Sequence, residues 1–255
     1  MDTAPAGPPN ATLDQVQAAA ARGDHQEVLR LTDAILSERP GDDAAHEARA
    51  RAHLALRRLE EAEADAMDAV RLDPDEVRYR ELLAEIQSDR GEHADAAAEY
   101  ARLARRDPRQ VAWTVAEAAE RIEASENDKG VEAARRAVRL DPTNADAQLA
   151  LARGLIRLGD PAGAIQAATR AAGLRPTDVA TRETMADALW LVERPSPAFD
   201  EFRALAEQLT GGDRERVLGK ARALYRQRAG RLGRFLASWP GGFAFALRRG
   251  WLSVS

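Results

Sequence analysis

Residues 145–178 read ADAQLALARGLIRLGDPAGAIQAATRAAGLRPTD. Leu151, Ala152 and Leu155 fall on one helical face, and Ala164, Ala168 and Ala171 on another. Between them, Gly159 ends one helix, and Asp160-Pro161 supplies an N-cap followed by proline in the first turn of the next. Pro176 stops the second helix, because proline lacks the amide proton and restricts the residue before it. The stretch predicts two antiparallel helices joined by a tight turn.

The same frame extends through the chain. Proline recurs every 34 residues, at Pro40, Pro74, Pro108, Pro142 and Pro176. At position 8 of each frame stand Val16, Ala50, Ala84, Ala118, Ala152 and Ala186. Position 20 holds Val28, Ala62, Ala96, Gly130, Ala164 and Ala198. Position 27 holds Ile35, Ala69, Leu103, Ala137, Ala171 and Leu205. Small residues in these places allow two helix backbones to approach. Glycine marks the intervening turn at Gly23, Gly91 and Gly159.

Composition agrees with an all-helical chain. The 255 residues include 55 alanines, the best helix former, and few β-branched or aromatic strand formers. Zero cysteines exclude disulfides, a thiolate nucleophile and cysteine-based metal sites. The 35 arginines against two lysines suit a GC-rich bacterial genome. The opening segment, Met1 to Asn10, has no apolar run of a secretory signal, so a cytoplasmic location is expected. The longest uncharged stretch, Phe235 to Leu247, covers 13 residues and is too short to span a bilayer.

With small residues at positions 8, 20 and 27 and proline at 32 of a 34-residue unit, the chain resembles the tetratricopeptide repeat (TPR) family. The resemblance covers residues 9–212 as six units: 9–42, 43–76, 77–110, 111–144, 145–178 and 179–212. It implies an all-α, right-handed superhelical solenoid of antiparallel helix pairs. Residues 1–8 are expected to be disordered, 213–230 to form a C-terminal capping helix, and 231–255 to form a basic aromatic tail. Lys220 would be buried at position 8 of a seventh unit, which favours a cap there. One departure stands out. The family's aromatic at position 4 is replaced by His46, Arg80, Thr114, Gln148 and Arg182.

The search for catalytic chemistry finds little, and neither an enzyme nor a cofactor is expected. His46 and His53 lie seven residues apart on one predicted helix, about 10.5 Å, too far to share an ion without other ligands. Gly219-Lys220 looks like the end of a P-loop, but Arg214 stands where its first glycine belongs and Ala221 replaces the magnesium-binding hydroxyl. Acidic runs such as Glu60 to Asp65 read as a solvated, salt-bridged face.

The family resemblance implies instead a concave groove lined by positions 2, 5, 9, 12 and 13 of each first helix, holding a protein or peptide. Carried over, the first three units offer Leu13, Gln17, Glu47, Arg51, Leu54, Arg78, Glu81, Glu85 and Asp89. The last three offer Val115, Ala119, Ile122, Leu149, Arg153, Ile156, Arg157, Glu183, Trp190 and Leu191. The second set pairs an apolar floor with two arginines one turn apart, suited to a peptide bearing an acidic group. The Lys and Asn by which part of the family grips a terminal carboxylate are absent from the first unit, where Leu13 and Gln17 stand.

The tail breaks the charge balance. Residues 213–255 hold ten basic and two acidic side chains, a net of +8 in a chain of net −5, leaving −13 for residues 1–212. Arg231, Arg234, Phe235, Trp239, Phe243, Phe245, Arg248, Arg249 and Trp251 could lie at the inner surface of an anionic membrane. Docking onto the acidic repeats or onto a second copy, giving a homo-oligomer, is the competing reading. Nucleic acid is disfavoured, because the repeats would repel phosphate.

Overall fold

The computed structural model of the protein describes residues 11–191 and 195–228. The expected disordered start, 1–8, and the basic aromatic tail, 231–255, lie outside the described residues. Among those described there are thirteen α-helices and no strand, an all-α helical-repeat fold. The chain divides into two compact units, Met1–Glu126 and Asn127–Ser255.

The first unit contains α1 (Leu13–Ala21), α2 (His25–Glu38), α3 (Asp43–Ala55), α4 (Leu59–Leu72), α5 (Val77–Asp89), α6 (His93–Arg106) and α7 (Val111–Glu123). Each helix packs on the next, and the first helices of successive repeats also touch, α1 on α3 and α3 on α5. The second unit contains α8 (Asn127–Leu140), α9 (Ala145–Leu158), α10 (Pro161–Leu174), α11 (Val179–Leu191), α12 (Pro195–Gln208) and α13 (Gly211–Arg228). Its neighbours pack in the same order, with α9 also on α11.

Side-chain caps satisfy the orphan amides at several helix starts. Thr12 and Gln15 form a reciprocal capping box on α1. Asp24, Asp42, Asn144 and Asp160 each accept from the backbone N–H three residues on. The residues at positions 8, 20 and 27 are buried in all six repeats, as close helix contact requires. Alanine dominates there because a larger side chain would force the backbones apart.

Position 15 carries a conformational demand wider than its glycines. Gly23, Gly91 and Gly159 have φ of +71°, +78° and +71°. Arg57 and Ser125 occupy the same position in the second and fourth repeats and take φ of 59° and 63°. The turn between paired helices therefore imposes a left-handed residue whether or not the sequence supplies glycine.

The missing aromatic at position 4 has a polar replacement with its own partners. His46 Nε2 lies 3.0 Å from the Pro40 carbonyl, Arg80 donates to that of Pro74 at 3.4 Å, and Gln148 to that of Pro142 at 3.2 Å. Each ties its repeat to the periodic proline before it. Two of these residues, and Arg182 of the sixth repeat, meet an acid at position 23 of the paired helix: His46 with Asp65, Arg80 with Glu99, and Arg182 with Glu201. The fifth repeat has Ala167 at that place, opposite neutral Gln148.

Helix α13 begins at Gly211, two residues before the expected Asp213. Its Val217 and Ala221 are buried with Ala186, Phe202, Leu205 and Ala206. Lys220 keeps 38% of its side chain in water and pairs with Asp187 at 2.6 Å, so this register leaves the ammonium at the rim.

Candidate functional site

Within the second unit, α9, α11 and α13 carry the candidate groove residues of this half and the charges that face them. Arg153 on α9 is exposed and makes no hydrogen bond or ion pair among the described residues. Its positive charge adds, after the hydrogen bonds that Asp178 accepts from Thr181 and the charge of Arg175, to what holds the Asp178 carboxyl below the usual range. Arg157, one turn further, is exposed as well. Leu149 and Ile156 are half-buried, and Ile156 packs on the core of α9 and α10. Trp190 packs against the cluster of Phe202, Leu205 and Val217, while Leu191 remains 38% exposed.

Two acids on α11 lie beside this surface, and both are neutralised from α13. Glu183 accepts from Arg216 at 2.8 Å through both carboxylate oxygens. Asp187 accepts from Lys220 at 2.6 Å. Burial pushes the Asp187 carboxyl up from the ordinary value, while the hydrogen bond and charge of Lys220 pull it back. Asp187 sits at position 9 of its repeat, and the sequence reading missed it despite the signal available in that series.

The first unit presents a different face. Arg51 is paired with Glu47 on its own helix, and Arg78 stacks over the Tyr79 ring at 5.1 Å. Glu81 accepts from the Trp113 indole at 2.6 Å, an anchor that sequence reasoning did not single out. Asp89 pairs with Arg57. Glu81, Glu85 and Glu120 surround Tyr100, and burial followed by these three charges pushes its phenol up. Val115 and Ala119 are half-buried. Ile122 is a correction: at 2% exposure it belongs to the core and offers nothing to a ligand.

Several groups with ligand character converge outside these faces. His46, Asp65 and Asp68 each place one ligand atom within 4.8 Å of the others. His53 Nε2 stands 3.8 Å from the second oxygen of Asp65, so α4 places a carboxylate between the two histidines. Arg49 meets the same carboxylate at 2.8 and 2.6 Å and Asp33 at 2.9 Å.

The tetratricopeptide repeat family matches residues 19–86, and again 68–111 and 115–179. The chain belongs to the tetratricopeptide repeat family. Many solved structures share the fold. A tetratricopeptide repeat protein from Parabacteroides merdae ATCC 43184 is 12% identical with a TM-score of 0.70, over 93% of this chain and 96% of that one. The C-terminal part of a TPR repeat-containing protein from Cytophaga hutchinsonii is 11% identical with a TM-score of 0.68, over 91% and 98%. YrrB, described as a TPR protein with an unusual peptide-binding site, is 12% identical with a TM-score of 0.61, over 68% of this chain and 90% of its own. No curated protein matches the sequence. No helix among the described residues is long and apolar enough to cross a membrane.

Proposed function

We propose that the protein is a non-enzymatic scaffold that holds a protein or peptide partner against the α9–α11–α13 face, through an acidic group on the partner. Protein interaction is the general role that the fold suggests. The observation that carries the finer reading is the state of Arg153. It is an exposed guanidinium without an ion pair among the described residues, beside two acids already satisfied by Arg216 and Lys220. Guanidinium takes carboxylate or phosphate in a bidentate geometry, and Leu149, Ile156, Trp190 and Leu191 offer apolar contact alongside. A peptide-binding site in YrrB, a structure of the same fold, supports the class of ligand.

Selection from an unbiased peptide library tests this reading. Enriched peptides are expected to combine acidic and apolar residues and to lose binding at least tenfold to a folded Arg153→Glu, Arg157→Glu protein. Unchanged affinity in that double reversal removes the groove assignment.

The second reading is a membrane-peripheral assembly factor that attaches or oligomerises through residues 231–255, favoured by their arginines and aromatics. Co-flotation of residues 1–230 with anionic vesicles as efficiently as the full chain would count against it.

A further inference from the structure

The two histidines of α3, a turn apart from each other twice over, converge on one carboxylate of α4. His46 directs Nδ1 at Asp65, 3.1 Å from Oδ1, and Nε2 at the Pro40 carbonyl, 3.0 Å away. A backbone carbonyl on Nε2 is the kind of outer hydrogen bond that orients a metal-bound histidine and leaves Nδ1 to the ion. Two ligand atoms roughly 2.1 Å from a tetrahedral ion lie roughly 3.4 Å apart, close to the His46–Asp65 separation. His53 contributes a second imidazole from outside that close trio, its Nε2 3.8 Å from the other oxygen of Asp65.

We propose that His46, His53, Asp65 and Asp68 form a transition-metal site, of the class that takes zinc, which Arg49 closes when the ion is absent. Mixed imidazole and carboxylate donors suit zinc-class ions rather than calcium or magnesium. Arg49 neutralises Asp65 in the metal-free protein, and a bound dication would replace that charge. The guanidinium has a second holder already in place: Asp33, 2.9 Å from NH1 and 65% exposed, keeps it when Asp65 is released. Asp68 keeps 43% of its side chain in water beside Arg71, so it provides the entry side and turns inward on binding.

Titration of the untagged, chelator-treated full chain with cobalt(II) is the direct test. The expected result is a visible absorption band at one equivalent that zinc bleaches, together with a zinc-dependent rise in melting temperature. His53→Gln and Asp68→Asn, which remove no buried hydrogen-bonded group, are expected to weaken binding at least tenfold. Arg49→Gln is expected to strengthen it at least tenfold, because the competing cation is gone. Absence of the band overturns the site, and so does a band that persists unchanged in both ligand variants or weakens in Arg49→Gln.

Discussion

Arg80 and Glu99 stand 19 residues apart and meet at 2.9 Å, joining position 4 of the third repeat's first helix to position 23 of its second. Glu99 is 8% exposed and also receives Arg102. The same geometry holds His46 to Asp65 and Arg182 to Glu201. Removing one partner strands the other in a partly dry place. Glu99→Ala should therefore cost about 2 kcal/mol, less than the roughly 3–5 of a fully buried pair because Arg80 retains some water. The double variant Arg80→Gln, Glu99→Ala reproduces the Gln148–Ala167 arrangement of the fifth repeat and should recover more than half of the loss. Urea unfolding of both variants decides it; equal destabilisation would show that the pair has no such interchangeable role.

The left-handed turn predicts a gain from glycine where the chain has none. Ser125 holds φ of 63° at a place where other repeats have Gly23, Gly91 and Gly159. Ser125→Gly should stabilise the protein by about 0.5–1 kcal/mol, since L-residues pay for that region. Gly91→Ala should cost a similar amount; its added methyl would meet nothing within 4 Å, so the loss would be backbone strain alone. Paired thermal melts measure both.

The Asp187–Lys220 pair sets a pH dependence. Burial raises the Asp187 pKa, so an ionised Asp187 opposes folding as pH rises through its folded value, and Lys220 offsets this. Lys220→Met should thus destabilise the protein at pH 7 and less at pH 5, because lowering the pH moves the raised carboxyl toward its protonated form. Thermal unfolding at the two pH values reads the difference; an equal loss at both would exclude ionised Asp187 as its source.

Tyr79 is 1% exposed, donates to Asp43 at 2.7 Å, and has its phenol pushed up to about 12 by burial and then by Asp43. A phenol with a raised folded pKa stabilises below the unfolded value, near 10, and that contribution disappears as pH climbs through 12. Spectrophotometric titration should therefore show Tyr79 ionising only together with unfolding. Tyr79→Phe should remove that late component and cost about 1 kcal/mol for the lost hydrogen bond.

The sequence alone determined the repeat register, the helix pairs and the buried set at positions 8, 20 and 27. Those features are local: helical periodicity, caps and proline act within a few residues, and small side chains announce close packing by their recurrence. Where a turn demand was met by glycine it was legible; at Arg57 and Ser125 it was hidden, because there the packed helices on either side enforce the backbone against the residue's preference. Only the tertiary structure decided the rest. The polar residues at position 4 read as unexplained departures until α4, α6 and α12 brought Asp65, Glu99 and Glu201 to them. Trp113 gained its role from Glu81, 32 residues earlier. Ile122, at a groove position by register, went to the core. Ion pairs and ligand clusters depend on which helices meet, and a one-chain pattern of 34 fixes the spacing of helices without stating which charges they place opposite one another.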